Sequence, residues 1–339
     1  MTATERLADA AAAVARSAAA RPAVRALGAV TRPRPGRFAV LTYHRVAWPA
    51  EAPDLHPGLI SATPTAFASQ MRWLAEHRPV VALADLLAAA EGGPLPAGAV
   101  LITFDDGYRD LAQHAWPILR SLGLPATLFV PTGFPGREVA FWWDRLAAAI
   151  LQGEGAASLI SPIGALERGD QAQARASLRR VQAWLKTRPH AEVLGHVDDL
   201  AAQAGLPPPR GAVLDWPELR ALAADGLTIA PHTVNHPLLT KVPPATAVQE
   251  IAGSLADLER ELGPTAPALA YPSGAFDSQV MEAAQAAGLR LAFTTQRGPD
   301  EVATLAGPDR LRLRRINVGG RSSPALIEAQ LLAWLGGRR

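Results

Sequence analysis

The feature that most constrains the fold of this 339-residue chain is an alternation of short apolar runs with amphipathic helical stretches. Eight runs have the length and the apolar character of buried strands. They lie at 38–43, 79–83, 100–104, 126–130, 227–230, 266–271, 290–294 and 313–318. Strands that alternate with helices are typical of parallel sheets. The pattern predicts an α/β fold, a distorted (β/α) barrel of about seven or eight strands, with site residues at the carboxyl ends of strands.

Helix boundaries support this alternation. Thr63 followed by Pro64 is typical of a helix start, because the threonine can cap the helix and proline suits its first position. Apolar residues at helical spacing precede Gly123 and Gly263, and glycine commonly ends a helix. These patterns predict helices after Thr63 and before each of the two glycines.

The chain divides into a short N-terminal part and one large domain. Residues 1–36 are interpreted as an alanine-rich helix, broken near Pro22, followed by a basic, proline-rich linker over 31–36. Residues 37–339 are interpreted as the barrel. From about 142 to 209 the pattern is helical and contains no convincing strand, which predicts a helical insertion in the same domain.

Composition narrows the kinds of site and partner. The chain has no cysteine, so disulfides and thiolate metal sites are excluded. The net charge is only +2 and no long basic run is present, so nucleic acid is not an expected partner. No apolar stretch could span a bilayer, and the N-terminus is too weakly apolar for a signal peptide. We expect a cytoplasmic protein or one peripheral to the membrane, with weak contact through the N-terminal helix.

The apolar run at 100–104 leads directly into Asp105, Asp106 and Gly107. In a regular strand the two carboxylates would point to opposite faces, but the glycine lets the chain bend so that both can line one pocket. The alternative is an ordinary turn with an aspartate helix cap. Unpaired carboxylates at the end of a core strand are costly, which favours a partner cation.

A second strand-like run, at 227–230, is followed by His232 and His236. One helical turn between them would place both imidazoles on the same side, and neutral imidazole is a common metal ligand. Two histidines and one carboxylate leave coordination positions open for water and substrate. Without cysteine, the donor set suits Zn²⁺, with Co²⁺, Mn²⁺, Ni²⁺ or Fe²⁺ as alternatives.

These motifs resemble a known family. The segments TFDDG, HTVNH, LAYPSGAFD and AAGLRLAFTTQRG are similar to motifs of the polysaccharide deacetylases of the NodB-homology type, carbohydrate esterase family 4. The resemblance covers roughly residues 37–320. The first two motifs together are highly specific, whereas the insertion and the N-terminal segment are only loosely covered.

The resemblance implies roles for individual residues. Asp106, His232 and His236 would bind the metal, and Asp105 would be the general base. The backbone N–H of Ser273 would help to hold the tetrahedral oxyanion. Tyr271 and Pro272 precede Ser273 in this third motif. Together with Ser273 they are assigned to the oxyanion and the substrate.

The chain lacks one charged residue of the family pattern. The family usually has an arginine two residues before the proline of the third motif, where it contacts the base. Here that position is Ala270. Arg315 and Arg45 are both candidates to replace the missing arginine, and the sequence leaves the two open.

A second departure concerns the general acid. The family usually supplies a histidine after the third motif, but no histidine follows His236 in this chain. Of the remaining histidines, only His44 directly follows an apolar strand. This placement resembles the biofilm exopolysaccharide deacetylases, whose motifs look circularly permuted, and it implies that His44 is the acid. The alternative is a histidine that merely satisfies a backbone hydrogen bond at the end of a strand.

The segment FWWDRL at 141–146 carries two adjacent tryptophans, Trp142 and Trp143. Aromatic faces can stack on sugar rings, so either residue could contact the substrate. The alternative, which we favour slightly, is that these aromatics anchor an inserted helix.

The sequence thus predicts a metal-dependent enzyme that hydrolyses N-acetyl groups on amino sugars of a glycan. One alternative is a relative that hydrolyses a non-sugar amide, and another is an inactive glycan-binding protein. A non-haem iron oxygenase also uses two histidines and a carboxylate, but it would leave the aspartate pair without a role. A two-carboxylate glycosidase is disfavoured because adjacent residues hardly span the required ~5 Å or more.

Overall fold

The structure is a computed structural model that describes residues 31–51, 53–152, 158–207, 209–320 and 322–338. Its strands are β1 Thr31–Pro33, β2 Arg37–Tyr43, β3 Arg45–Val46, β4 Ile60–Ala62, β5 Val80–Val81, β6 Ala99–Asp105, β7 Thr127–Val130, β8 Ser158–Ser161, β9 Gly164–Glu167, β10 Thr228–Pro231, β11 Ala268–Ala270, β12 Leu291–Arg297, β13 Asp300–Glu301, β14 Leu313–Asn317 and β15 Gly336–Arg338. Each of the eight predicted runs forms one of them.

The helices alternate with these strands. They are α1 Pro64–His77, α2 Leu83–Ala90, α3 Trp116–Ser121, α4 Trp142–Leu151, α5 Gln171–Leu185, α6 His190–Ala204, α7 Trp216–Ala224, α8 Pro244–Leu262, α9 Ser278–Ala286 and α10 Pro324–Leu335. A π-helical turn, Leu111–Ala115, precedes α3, and short 3₁₀ turns include Pro57–Leu59 and Pro272–Gly274.

Seven parallel strands form a nearly closed barrel. Their order is β10-β7-β6-β2-β14-β12-β11, and every neighbouring pair along this path is parallel. The two end strands, β10 and β11, lie against each other and nearly close the ring. The remaining predicted strand, β5, pairs with β6 beside the ring. The predicted barrel fold is therefore confirmed.

Alternation along the strands separates the two faces of the barrel wall. In β2, Phe38 and Val40 belong to one buried cluster, while Leu41 and Tyr43 belong to another that includes residues of the surrounding helices. Both faces are apolar because a parallel sheet is covered on both sides. Polar residues are consequently displaced to the strand ends, where the site lies.

The predicted helix boundaries are confirmed. Thr63 precedes α1, and its side chain accepts a hydrogen bond from the N–H of Ala66 at 3.3 Å. Gly263 follows α8 directly. The helical segment before Gly123 consists of the π-helical turn and α3, so it is less regular than its spacing suggested.

The insertion differs from its prediction. Between α4 and α5 the chain forms an antiparallel hairpin of β8 and β9. Its strands are only four residues long, too short for their alternation to register in the sequence. Leu159 and Leu166 pair across the hairpin and are buried with residues of α4, α5 and α6 in one cluster. The insertion is therefore a helical unit completed by a hairpin.

The predicted linker also differs. Residues 31–33 form β1, which pairs antiparallel with β15 near the end of the chain. The predicted N-terminal helix and its break near Pro22 lie outside the described residues, so the division at residue 36 stays a prediction. Within the described ranges, no helix combines the length and apolar character needed to cross a membrane.

Thr63→Ala should lower the free energy of unfolding by about 1 kcal/mol, because the first turn of α1 loses its side-chain acceptor. Urea denaturation of both proteins measures this difference. Thr65→Ala, an exposed substitution in the same turn, is the matched control and should change stability little. Equal effects of the two substitutions would contradict the cap.

Candidate active site

Strand β6 delivers the two adjacent carboxylates to the mouth of the barrel. Asp105 ends the strand, and Asp106 and Gly107 then adopt left-handed backbone conformations with φ of 74° and 75°. A Cβ at Gly107 would lie 2.8 Å from Cγ2 of Val130, so the turn requires glycine at this position. The predicted bend is present, and it buries both aspartates in the same site.

Asp106, His232 and His236 form a buried cluster whose donor atoms all lie within 4.8 Å of one another. The Oδ1 atom of Asp106 is 3.5 Å from Nε2 of His232 and 3.4 Å from Nε2 of His236. A tetrahedral centre with bonds of about 2.0–2.1 Å would separate its ligands by about 3.4 Å. The three residues therefore fit a small divalent metal.

The two histidines reach this cluster without the helical turn that their spacing predicted. The segment between them is irregular, and Thr233 and His236 have positive φ values of 67° and 55°. The N–H of His236 donates to Oγ1 of Thr233 at 3.0 Å, which holds the turn. The prediction that both imidazoles face one point was correct, but the predicted local structure was wrong.

Neighbouring groups prepare the imidazoles as ligands. Nδ1 of His232 lies 2.6 Å from the carbonyl oxygen of Ala270, which can only accept, so this nitrogen carries a proton and Nε2 is the atom that can bind a metal. Burial lowers the pKa of His236, which keeps that ring neutral. Neutral imidazole is the form that binds metal.

Asp105 is held by a buried arginine. Nη1 and Nη2 of Arg315 donate to its two carboxylate oxygens at 2.8 and 2.7 Å, and Nε donates to the carbonyl of Thr294 at 2.8 Å. Arg45 instead donates to Asp110 at 2.7 Å. Of the two candidates left open by the sequence, Arg315 is thus the arginine that contacts Asp105.

The ion pair decides the charge of Asp105. Burial alone would raise the pKa of this carboxyl, but the charge of Arg315, together with His232 and His44, holds that pKa below its ordinary value. Asp105 is therefore ionised at neutral pH and can accept a proton. Its neighbour Asp106 has the same property, because the imidazoles of His232 and His236 outweigh the effect of burial on its pKa.

His44 lies at the same mouth, directly after β2. Its backbone N–H donates to Oγ of Ser61 at 3.0 Å, and its side chain is close enough for its charge to act on both Asp105 and Asp106. The side chain is only partly buried. His44 thus follows β2 at the same end of the barrel as the two carboxylates, and its role as the acid stays a prediction.

The third motif contributes one exposed residue. Ser273, with φ of 53°, stands in the Pro272–Gly274 turn after β11 and lines a cleft next to His236. Tyr271 and Pro272 are buried, and the Tyr271 hydroxyl donates to the carbonyl of Leu311 at 2.9 Å. Both side chains support the turn from inside, and the assignment of Tyr271 and Pro272 to the oxyanion and the substrate stays a prediction.

The two tryptophans of the insertion have different environments. Trp143 is buried, stacks on Phe141 with ring centroids 4.4 Å apart, and lies edge-on to His236 at 4.6 Å. This placement supports the anchoring interpretation for Trp143 and leaves no free face for a sugar. Trp142 is only half buried and lines the cleft beside Ser273.

Two residues that the sequence analysis missed connect the insertion to the site. Nε1 of Trp143 donates to the hydroxyl oxygen of Tyr108 at 2.8 Å, and that hydroxyl donates to Asp144 at 2.6 Å. Asp144 also accepts the N–H of His56 at 2.7 Å. Tyr108 directly follows the aspartate motif and Asp144 directly follows the tryptophans. Their positions next to these motifs could therefore have indicated both residues.

The comparisons identify the family. Residues 92–292, more than half of the chain, match the family described as polysaccharide deacetylase. The chain therefore belongs to the polysaccharide deacetylase family, which confirms the resemblance indicated by its motifs.

Curated relatives match over shorter segments. A poly-β-1,6-N-acetyl-D-glucosamine N-deacetylase of Staphylococcus aureus (strain MSSA476) is 35% identical over 79 residues, which is 23% of this chain and 27% of that protein. The protein of the same name from Escherichia coli (strain K12) is 36% identical over 99 residues, which is 28% of this chain and 14% of that protein. The matched segments thus span about a quarter or less of these relatives.

Solved structures share the fold over most of the chain. The deacetylase PplD of Streptococcus pyogenes, solved in complex with acetate, superposes with a TM-score of 0.58 at 21% identity, covering 87% of this chain and 97% of that one. IcaB from Ammonifex degensii gives a TM-score of 0.56 at 19% identity, covering 88% and 98%. At these identities the likeness concerns the fold alone.

Because of Asp144, we expect the free energy of unfolding to fall as pH rises. Burial raises the pKa of Asp144 to about 7, although the hydrogen bonds from Tyr108 and His56 favour the charged form. Between about pH 4 and pH 7 the folded protein therefore keeps a proton that the unfolded chain has released. The free energy of unfolding should decrease across this range by on the order of a few kcal/mol relative to Asp144→Asn.

Urea denaturation of both proteins at several pH values measures this difference. Subtracting the Asp144→Asn curve removes the other titrating groups. Identical pH slopes for the two proteins would contradict a protonated Asp144.

Proposed function

We propose that this protein is a metal-dependent deacetylase that hydrolyses N-acetyl groups on amino sugars of a glycan. The observation that carries the proposal is the combination of the Asp106, His232 and His236 cluster with an adjacent ionised Asp105, held by Arg315. Hydrolysis of an amide needs a nucleophile at neutral pH, a base beside it and a proton donor for the leaving amine. The mouth of the barrel offers a group for each need.

Asp106, His232 and His236 would hold the metal, and Zn²⁺ is the ion that this donor set suits best, with Co²⁺, Mn²⁺, Ni²⁺ and Fe²⁺ as alternatives. When bound, such an ion supplies Lewis-acid chemistry and lowers the pKa of a bound water to about 7. The separations of 3.4 and 3.5 Å between the donor atoms support this assignment.

Asp105 would act as the general base that takes a proton from the attacking water. Arg315 keeps this carboxylate ionised and fixes both of its oxygens, so the base has one orientation. His44, at the end of the neighbouring strand β2, would give a proton to the leaving nitrogen. The backbone N–H of Ser273 would stabilise the oxyanion of the tetrahedral intermediate.

The names of the curated relatives support a polymer of N-acetylglucosamine as the substrate class, but the matches cover a small part of those proteins. The filled arginine position argues against an inactive binding module, because a module that only binds sugar has no use for an oriented, ionised base. The same pair argues against an iron oxygenase, in which Asp105 would have no role.

Acetate release from N- and O-acetylated saccharides tests the proposal. The purified protein should bind about one divalent metal per chain by elemental analysis, and removal of that metal should abolish release from N-acetyl sugars. Full activity of the metal-free protein would overturn the proposal, and so would a failure to release acetate from every saccharide tested with metal present.

Substitution of the two adjacent aspartates should separate their roles. Asp105→Asn should retain the metal but lose on the order of 100-fold or more in turnover, because the general base is removed. Asp106→Asn should lose metal affinity. Metal content, turnover and thermal unfolding measured on both proteins distinguish these effects from loss of the fold. Identical behaviour in the metal and activity assays would contradict the division of labour.

His44→Ala should impair amide hydrolysis selectively. An amine anion is a poor leaving group and needs a proton, whereas the leaving group of an activated acetate ester does not. Turnover of an N-acetyl sugar should therefore fall by on the order of 100-fold or more, while turnover of the ester falls much less.

His77→Ala is the matched control for this comparison, since His77 is exposed at the end of α1 and should leave both rates unchanged. Metal content should stay at the wild-type level in both variants. An equal loss on the two substrates, or no loss on the amide, would return His44 to a structural role at the strand end.

A further inference from the structure

The two histidines of the candidate metal cluster are held in different ways. The ring of His232 is fixed by a hydrogen bond, since its Nδ1 donates to the carbonyl oxygen of Ala270 at 2.6 Å. The ring of His236 instead packs against two aromatic side chains of the insertion, with centroid distances of 4.6 Å to Trp143 and 6.1 Å to Phe141. The orientation of this second imidazole therefore depends on where those aromatic rings are held.

Trp143 is held by a chain of buried hydrogen bonds. Its Nε1 donates to the hydroxyl oxygen of Tyr108 at 2.8 Å, and that hydroxyl donates to Oδ2 of Asp144 at 2.6 Å. The other carboxylate oxygen of Asp144 accepts the N–H of His56 at 2.7 Å. Trp143 is 7% exposed and both Tyr108 and Asp144 are 1% exposed, so solvent has little access to these bonds.

Stacking adds a second constraint on the indole. The rings of Phe141 and Trp143 have centroids 4.4 Å apart and planes only 12° apart. Such stacking fixes the plane of the indole but leaves rotation within that plane open. The hydrogen bond from Nε1 to Tyr108 fixes this rotation, and it thereby determines which part of the indole meets the ring of His236.

Tyr108 belongs to the barrel rather than to the insertion. On one side of it, the carbonyl of Gly107 accepts the N–H of Leu214 at 2.9 Å. On the other side, the N–H of Arg109 donates to the carbonyl of Ala212 at 2.7 Å. The hydroxyl of Tyr108 is therefore a fixed point at the mouth of the barrel, to which the start of the insertion is attached.

We infer that Tyr108 and Asp144 are positioning residues of the candidate metal cluster, which act through the indole of Trp143 on the ring of His236. The inference rests on the proposed metal binding and deepens it. Residues that orient metal-binding imidazoles typically change metal affinity by about 10–100-fold when they are removed. Here the last step of the orientation is an aromatic contact rather than a hydrogen bond to the imidazole.

Removal of single hydrogen-bonding groups tests the inference. Tyr108→Phe deletes the hydroxyl, and Trp143→Phe keeps an aromatic ring but deletes Nε1. Each should raise the dissociation constant for Zn²⁺ by about 10-fold or more, measured on the full chain by competition with a chromogenic chelator. Asp144→Leu should also weaken binding, whereas Asp144→Asn keeps a side-chain oxygen that can accept from Tyr108 and should retain most of the affinity.

Leu159→Ala is the matched control. Leu159 is buried in the hairpin of the same insertion, in a different apolar cluster from Trp143. Its truncation should lower the thermal unfolding temperature through lost packing, but it should leave the Zn²⁺ affinity unchanged. A loss of affinity as large as that of Tyr108→Phe would overturn the inference, because general loosening of the insertion would then be responsible.

The double variant Tyr108→Phe/Trp143→Phe identifies the route. If Tyr108 acts through Trp143, removal of both partners of their bond should weaken Zn²⁺ binding no more than the larger single change does. Additive losses would overturn this route, because Tyr108 would then act separately, through the aspartate motif that it follows.

Hydrogen exchange of the wild-type protein supplies a test that needs no variant. Coupling between two sites is reciprocal, so a metal that depends on the position of the insertion must also hold the insertion in place. Zn²⁺ should therefore slow amide exchange more in residues 144–150 of α4 than in the hairpin at 158–167. Equal slowing of the two segments would overturn the inference.

The outcomes separate this inference from the proposed function. Wild-type Zn²⁺ affinity in Tyr108→Phe and Trp143→Phe, with acetate release retained, would overturn the positioning role and leave the deacetylase intact. Zn²⁺ binding without acetate release from any saccharide would overturn the proposed function. In that case the dissociation constants of the variants would still decide the positioning role.

Discussion

The arrangement of the site depends on how two adjacent buried carboxylates are compensated. Asp105 and Asp106 both lie at the end of β6 and both are almost inaccessible to solvent. Ionised groups in such a position are strongly destabilising unless each has its own partner. Asp105 receives the guanidinium of Arg315, and Asp106 faces the imidazoles of His232 and His236. Because the partners differ, two chemically identical side chains become suited to different tasks.

The backbone of the site also adopts costly conformations. In the described part of the chain, the non-glycine residues with left-handed φ are Asp106, Thr233, His236 and Ser273. All four lie in the segments that bring the site together, and residues held in this region of φ and ψ each cost of order 1–3 kcal/mol. The regular barrel beneath them supplies the packing that keeps such turns in place. Concentration of strain at one mouth is itself an indication that this end of the barrel is functional.

Much of this could be predicted from the sequence, because both the strands and the motifs are local patterns. The identity of the arginine beside Asp105 could not be predicted in this way. Arg315 and Asp105 are 210 residues apart in the sequence, and only the order of strands in the barrel brings β14 and β6 close together. The bonds from Trp143 through Tyr108 to Asp144 were missed for the same reason. Short elements were missed for another reason. The strands β1, β8 and β9 have too few residues for the alternation of a strand to be recognised in the sequence.

The bonds between Trp143, Tyr108 and Asp144 have a consequence for how such enzymes diverge. They hold the start of the insertion beside the ring of His236. A change in the packing of the insertion would therefore also move this imidazole. The insertion and the candidate metal cluster are consequently expected to change together rather than independently.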